Sequence, residues 1–164
     1  MDYSKQILLF LTVILVIAGC KSESDSEPNQ KQQASTHRLQ SNSMEVTMGW
    51  VRPTTKGGNS AGYLDIYNGT SKADTLVAVS SDVAVSAAVH ESFDKDDLSG
   101  MRPAGKLHIA ANSSLKLEPG SLHIMLMKLN QNLAEGDSIS FRLDFSEAGM
   151  KQTKVAVKIS DSDM

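Results

Sequence analysis

Leu122-His123-Ile124-Met125-Leu126-Met127 is a run with a period of two. Successive side chains of an extended strand point to opposite faces. Leu122, Ile124 and Leu126 therefore line one face, and His123, Met125 and Met127 the other. The same period recurs from Met44 onward: Met44, Val46, Met48 and Trp50; Ile139, Phe141, Leu143 and Phe145; Val155, Val157 and Ile159. Leu107 with Ile109 and Leu115 with Leu117 are shorter versions, and Thr75 to Val79 is a short apolar run. Turn signals separate them at Lys56-Gly57-Gly58-Asn59, Asn68-Gly69, Pro119-Gly120 and Glu135-Gly136-Asp137. No stretch has a convincing helical period. The expectation is an all-β domain, an antiparallel β-sandwich of roughly seven to nine short strands, running from residue 44 to residue 160.

Two further candidate ligands lie elsewhere in the chain. Val83, Val85, Ala87 and Val89 alternate, which puts His90 on the face opposite theirs. Met101 lies in Ser99-Gly100-Met101-Arg102-Pro103, which Gly and Pro mark as a loop or a strand end. Two strands and one loop can thus bring His90, Met101, His123 and Met125 to one ion, in the series His-x10-Met-x21-His-x-Met. Thioethers select Cu(I) over harder ions, and imidazole accepts it as well. The set points to monovalent copper rather than zinc, iron or calcium. Taken singly, each residue has a plainer reading, a surface His on a strand or a Met filling core space. Met127 is read as packing beside the site, His108 as facing solvent or a loop, and Met44, Met48 and Trp50 as core of the first strand. Asp94, Asp96 and Asp97 lack the Gly and terminal Glu of a calcium loop, and read as a solvated acidic hairpin.

The chain has 164 residues and a formal charge of -3, from 16 basic and 19 acidic side chains. That length fits one domain, and that balance gives no reason to expect a nucleic-acid partner. Residues 1–19 read as a signal peptide: Lys5 precedes an apolar run from Ile7 to Ala18, too short for a standard spanning helix. The run ends Ile17-Ala18-Gly19-Cys20, which looks like a bacterial lipoprotein signal with Cys20 as the lipidated first residue of the mature chain. Cys20 is the sole Cys, so the mature domain has no thiol for a disulfide or for thiol-disulfide exchange. A Met/His site also suits an oxidising compartment. Lys21 to Ser43 is polar and nearly free of apolar residues, a tether of roughly 25 Å root-mean-square span. His37 within it reads as a solvated tail residue.

From Trp50 to Val157 the chain resembles the periplasmic copper chaperones called PCuAC, whose ligand spacing matches at all four positions. Trp50-Val51-Arg52-Pro53, Ser60-Ala61-Gly62-Tyr63-Leu64, Met101-Arg102-Pro103, Pro119 to Met127 and Glu135-Gly136-Asp137 carry the similarity. Members often place further Met residues just after the first His. Here that stretch is Glu91-Ser92-Phe93-Asp94-Lys95-Asp96-Asp97, which has none. The resemblance implies a cupredoxin-like, Greek-key arrangement. It also implies an acceptor: the dinuclear copper site of cytochrome c oxidase subunit II, or a thioredoxin-like assembly factor that serves it.

The functional expectation is a Cu(I) carrier rather than a catalyst, held by a lipid anchor on the periplasmic or cell-surface side of a bacterial membrane. No Ser-His-Asp or paired-carboxylate arrangement is visible. The rivals are a copper-buffering or resistance lipoprotein without a dedicated acceptor, and a structural β-sandwich lipoprotein that binds no metal. A blue-copper electron carrier would need a Cys thiolate beside its His ligands, and the chain has no Cys after Cys20. Cys20→Ser should yield a soluble protein or an unprocessed precursor on fractionation with acyl-chain labelling. Unchanged membrane association of the cleaved variant would show that lipidation is not the anchor.

Overall fold

Among the described residues every regular element is a β-strand. The computed structural model describes residues 42–95 and 98–159, apart from the Met48 side chain. The apolar segment before Cys20, Cys20 itself, His37, the tether up to residue 41, Asp96 and Asp97 lie outside the described residues. The strands are β1 (Met44–Val51), β2 (Ser60–Asn68), β3 (Asp74–Ser80), β4 (Ala84–Lys95), β5 (Leu98–Pro103), β6 (Leu107–Ile109), β7 (Ser113–Leu117), β8 (Leu122–Leu129), β9 (Ser138–Phe145) and β10 (Gly149–Val157). Hydrogen bonds link them in the order β5-β4-β8-β2-β1-β10-β9-β3-β6, with β7 on β2. The expected antiparallel pairing has one exception, the parallel pair β1–β10.

The period-two runs supply the core. Ile139, Phe141, Leu143 and Phe145 of β9 are all buried, as are Val155 and Val157 of β10 and Ile124 and Leu126 of β8. Each such side chain contributes about 1.5–3 kcal/mol on full burial. The inner faces of β2 and β9 close on each other at Gly62, where the Phe141 ring occupies the space a side chain would need.

Several runs break phase where the ladder does. Register shifts in β1 between Thr47 and Trp50, so Val51 becomes fully buried and Trp50 turns away half-exposed. Trp50 is therefore not the core anchor expected of it. A shift in β3 between Leu76 and Ala78 leaves Val77 and Ala78 exposed inside the apolar run. Lys128 adopts a left-handed backbone (φ 55°), after which Leu129 rather than residue 128 is buried. Beside it the β4–β8 pairing steps from Ala84–Leu129 to Ser86–Met127, and Val85 between them is 74% exposed although Val83 and Val89 are buried. Ile159 lies past the end of β10 and is exposed.

Gly62→Ala should destabilise the fold, because the added Cβ would stand 2.5 Å from the Phe141 ring. Overpacking of this kind costs about 1–3 kcal/mol. Denaturant unfolding checks it; an unchanged midpoint would show that β2 and β9 can move apart there.

Candidate metal centre

Three adjacent strands place the four candidate side chains. Residues directly opposite each other in a ladder project to the same face. His90 of β4 stands opposite His123 of β8. Met125 follows two residues along β8, opposite Ala88 of β4 and Ala61 of β2. Met101 stands opposite Ser92, two residues beyond His90. All four therefore share one face of β5-β4-β8, while Val89, Ile124 and Leu126 take the core face. Met101 is not on a loop or at a strand end, as its Gly and Pro neighbours suggested. It lies within β5, since Gly100 accommodates the Phe93 ring and Pro103 closes the strand.

The two imidazoles are positioned differently. His123 is 4% exposed. Its Nδ1 lies 3.1 Å from the Ser121 carbonyl. A carbonyl only accepts, so Nδ1 carries the proton and donates, and Nε2 is left with its lone pair for an ion. The same carbonyl accepts from the Ser92 N–H at 3.1 Å, so it ties β4 to the start of β8. Gly120, with φ at 78°, makes the turn that presents it. The His90 ring centroid lies 6.2 Å from that of His123. Two rings bound through nitrogen at ~2 Å to one first-row ion have centroids at most about 6 Å apart, so a small side-chain adjustment would bring both within reach of one ion. His90 Nδ1 is buried without a hydrogen-bond partner. Burial, and secondarily the neighbouring His123, hold the His90 pKa below its ordinary 6.5. The ring is thus kept neutral, the form that ligates.

Met101, His123 and Met125 line a cavity of about 440 Å³ together with Arg52, Tyr63 and Pro119. His90 is not among its lining residues. Met101 is 56% exposed, and Met125 half-buried. Met127 is half-buried on the same strand face, opposite Ser86, and does not line the cavity. His108 is exposed, as expected. Behind His123 the wall is aromatic: Tyr63 lies 6.4 Å from it and Trp50 4.5 Å from Tyr63, centroid to centroid. Sequence reasoning missed these two as neighbours of the site. The alternation of Ala61 and Tyr63 against Gly62 and Leu64 in β2 was the available signal. Among the described residues no three His, Cys, Asp or Glu side chains gather, so the His/Met set has no hard-ligand rival there.

A profile of the LpqE-like lipoprotein family matches residues 44–157. The chain belongs to that family. It is 31% identical over 147 residues to "Putative lipoprotein Lxx21020" of Leifsonia xyli subsp. xyli, covering 89% of this chain and 84% of that one. Solved structures share the fold of this LpqE-like chain. The copper-bound PCuAC domain from PmoF2 superposes with a TM-score of 0.60 at 19% identity, over 71% of this chain and 93% of that one. The apo PCuAC domain from PmoF1 gives 0.59 at 24% identity, over 71% and 94%. The Cu(I) form of DR1885 from Deinococcus radiodurans gives 0.56 at 21% identity, over 75% and 85%. The all-β fold expected from the period-two runs is the fold observed, and these PCuAC domains share it.

The lowered His90 pKa predicts an acid-sensitive apo fold. Unfolded His90 titrates at the ordinary 6.5 and folded His90 below it. Between the two values the unfolded chain binds more protons, so the contribution is complete above 6.5 and is lost as pH falls through that window. Unfolding of the metal-free chain between pH 8 and pH 5 should show a decline that His90→Gln lacks. Parallel profiles for the two would contradict it.

Proposed function

We propose that this LpqE-like chain is an extracytoplasmic Cu(I) carrier that binds one ion through His90, Met101, His123 and Met125. The observation that carries the reading is the meeting of those four side chains on one face of β5-β4-β8. Two neutral imidazoles and two thioethers form a soft, uncharged set suited to Cu(I). Copper-bound domains among proteins of the same fold support the choice of metal. The lipoprotein family supports anchoring to a membrane, for which Cys20 is the lipidation site on the periplasmic or cell-surface side.

Neutral ligands also allow release. A thiolate holds Cu(I) more firmly than a thioether, so transfer to a Cys-bearing acceptor runs downhill. The exchange begins where the site is most open, at Met101. The acceptor that fits is the dinuclear copper site of cytochrome c oxidase subunit II, or a thioredoxin-like factor that assembles it.

Titration of the full chain with Cu(I) in a reducing buffer should show one colourless, diamagnetic ion per chain. Met101→Ala and Met125→Ala should each weaken binding by about tenfold or more, ~1.4 kcal/mol, with the fold retained. Met44, 5% exposed in the core, should behave in the opposite way: Met44→Ala costs ~2–5 kcal/mol of stability and spares affinity. A preference for zinc, or full affinity in Met125→Ala, would falsify the assignment.

A further inference from the structure

β5 ends the sheet: among the described residues it pairs with β4 alone. The Ala104 N–H donates to the Val89 carbonyl at 2.9 Å, which fixes the phase of that ladder. Alternation then turns Gly100 and Arg102 toward β4, and points the N–H and C=O groups of Ser99 and Met101 off the open edge. Natural edges are usually shortened, charged or covered. β5 has six residues; Pro103 removes the last outward N–H, and the one charged side chain, Arg102, is tied to Glu91 at 2.7 Å, which leaves Ser99 and Met101 as the open donors. The opposite edge, β6, has only three residues. The longer of these two edges is the one that carries a proposed ligand.

We infer that the β5 edge is the docking strand for the copper acceptor, which adds an extended, thiol-bearing segment there as a further strand. This rests on the copper-carrier reading. A residue opposite Met101 on an added strand shares the face of Met101, hence of His90, His123 and Met125. Its Cβ lies about 5 Å from that of Met101. On the far side of the site β2 and Tyr63 already cover β8, so a strand cannot approach from there. A cavity of about 430 Å³ lies beside Met101, lined also by Ser92, Phe93, Asp94, Ser99, Gly100 and Gly120, and leaves room there. The other face of the hairpin exposes Leu98 (69%) and Phe93 (37%). The recognised segment is therefore a Cys between apolar residues, with the thiol toward the metal and its neighbours toward Leu98 and Phe93. In the exchange the thiol gives its proton to solvent. Its sulfur forms the bond to copper, and the bond from copper to Met101 Sδ breaks. Copper stays Cu(I) and no electron moves.

The test uses the full chain in detergent, loaded with Cu(I), and the peptide acetyl-Thr-Val-Cys-Val-Thr-amide. The controls are the same peptide N-methylated at its cysteine, which keeps the thiol but loses the strand donor, and glutathione. At equal thiol concentration the strand peptide should remove copper about tenfold faster than either control, an advantage of ~1.4 kcal/mol in barrier. Ser99→Pro removes an edge donor. It should bring the peptide down to the glutathione rate while leaving Cu(I) affinity and the glutathione rate unchanged. On the metal-free wild-type chain, the peptide with Ser in place of Cys should slow amide exchange at Ser99 and Met101. Equal rates for the N-methylated and unmodified peptides would overturn the inference. So would edge amides whose protection rises with protein concentration alone, because a second copy would then be the occupant. Edge protection in a chain that takes up no Cu(I) would sink the copper reading and leave the docking strand standing, so the two failures are distinguishable.

Discussion

The β4–β8 register is the constraint on which the candidate site depends. Side chains alternate with a period of two, so a slip of one residue would send His123 and Met125 into the core and push Ile124 and Leu126 outward. That slip is opposed by burial: Val89, Ile124 and Leu126 are buried on the inner face. At about 1.5–3 kcal/mol each, these apolar residues hold His90 opposite His123 from the other face of the strands. The candidate ligand face inherits its precision from the core face of the same strands.

Local devices refine what the register sets. The Ser121 carbonyl accepts from both the Ser92 backbone and the His123 ring, so one atom fixes strand spacing and tautomer together. Tyr63 closes the site on the β2 side and is itself packed under Trp50. Farther away, Asn68 is fully buried, and its amide donates to the Lys72, Ile109 and Ala110 carbonyls. It clamps the end of β2 to the loops around β6, and so steadies the strand that flanks β8.

The sequence carried the parts of this structure that depend on alternation alone. The buried rows of β8, β9 and β10 and the shared face of His123 and Met125 follow from period two. What it concealed depends on where alternation is interrupted. Trp50 looked continuous with Met44 and Val46, yet the shift after Thr47 reverses its phase. β5 was hidden because Gly100 and Pro103 carry turn signals, while its pairing partner lies across a hairpin whose contribution no local pattern reveals. Asn68 looked like an ordinary turn residue before Gly69; its role as a hub comes from carbonyls some forty residues away. Tyr63 alternates with Gly62 and Leu64 in the sequence, but its nearness to His123 is a property of cross-strand register.

The topology also grades the four side chains by how easily each can leave. β4 and β8 are paired on both sides, and moving His90, His123 or Met125 disturbs a ladder flanked by strands. Met101 sits on the edge and is 56% exposed, against 4% for His123. Opening free energies are lowest where backbone bonds are few and apolar contacts sparse. Four ligands on central strands would be preorganised but slow to release. Four on an edge would release freely but would not be held in place. On the proposed carrier reading, three inside and one at the edge gives a frame in which the His pair and Met125 would define the site while Met101 would yield first. On the carrier reading, retention and hand-over need no moving domain, because both follow from where the sheet ends.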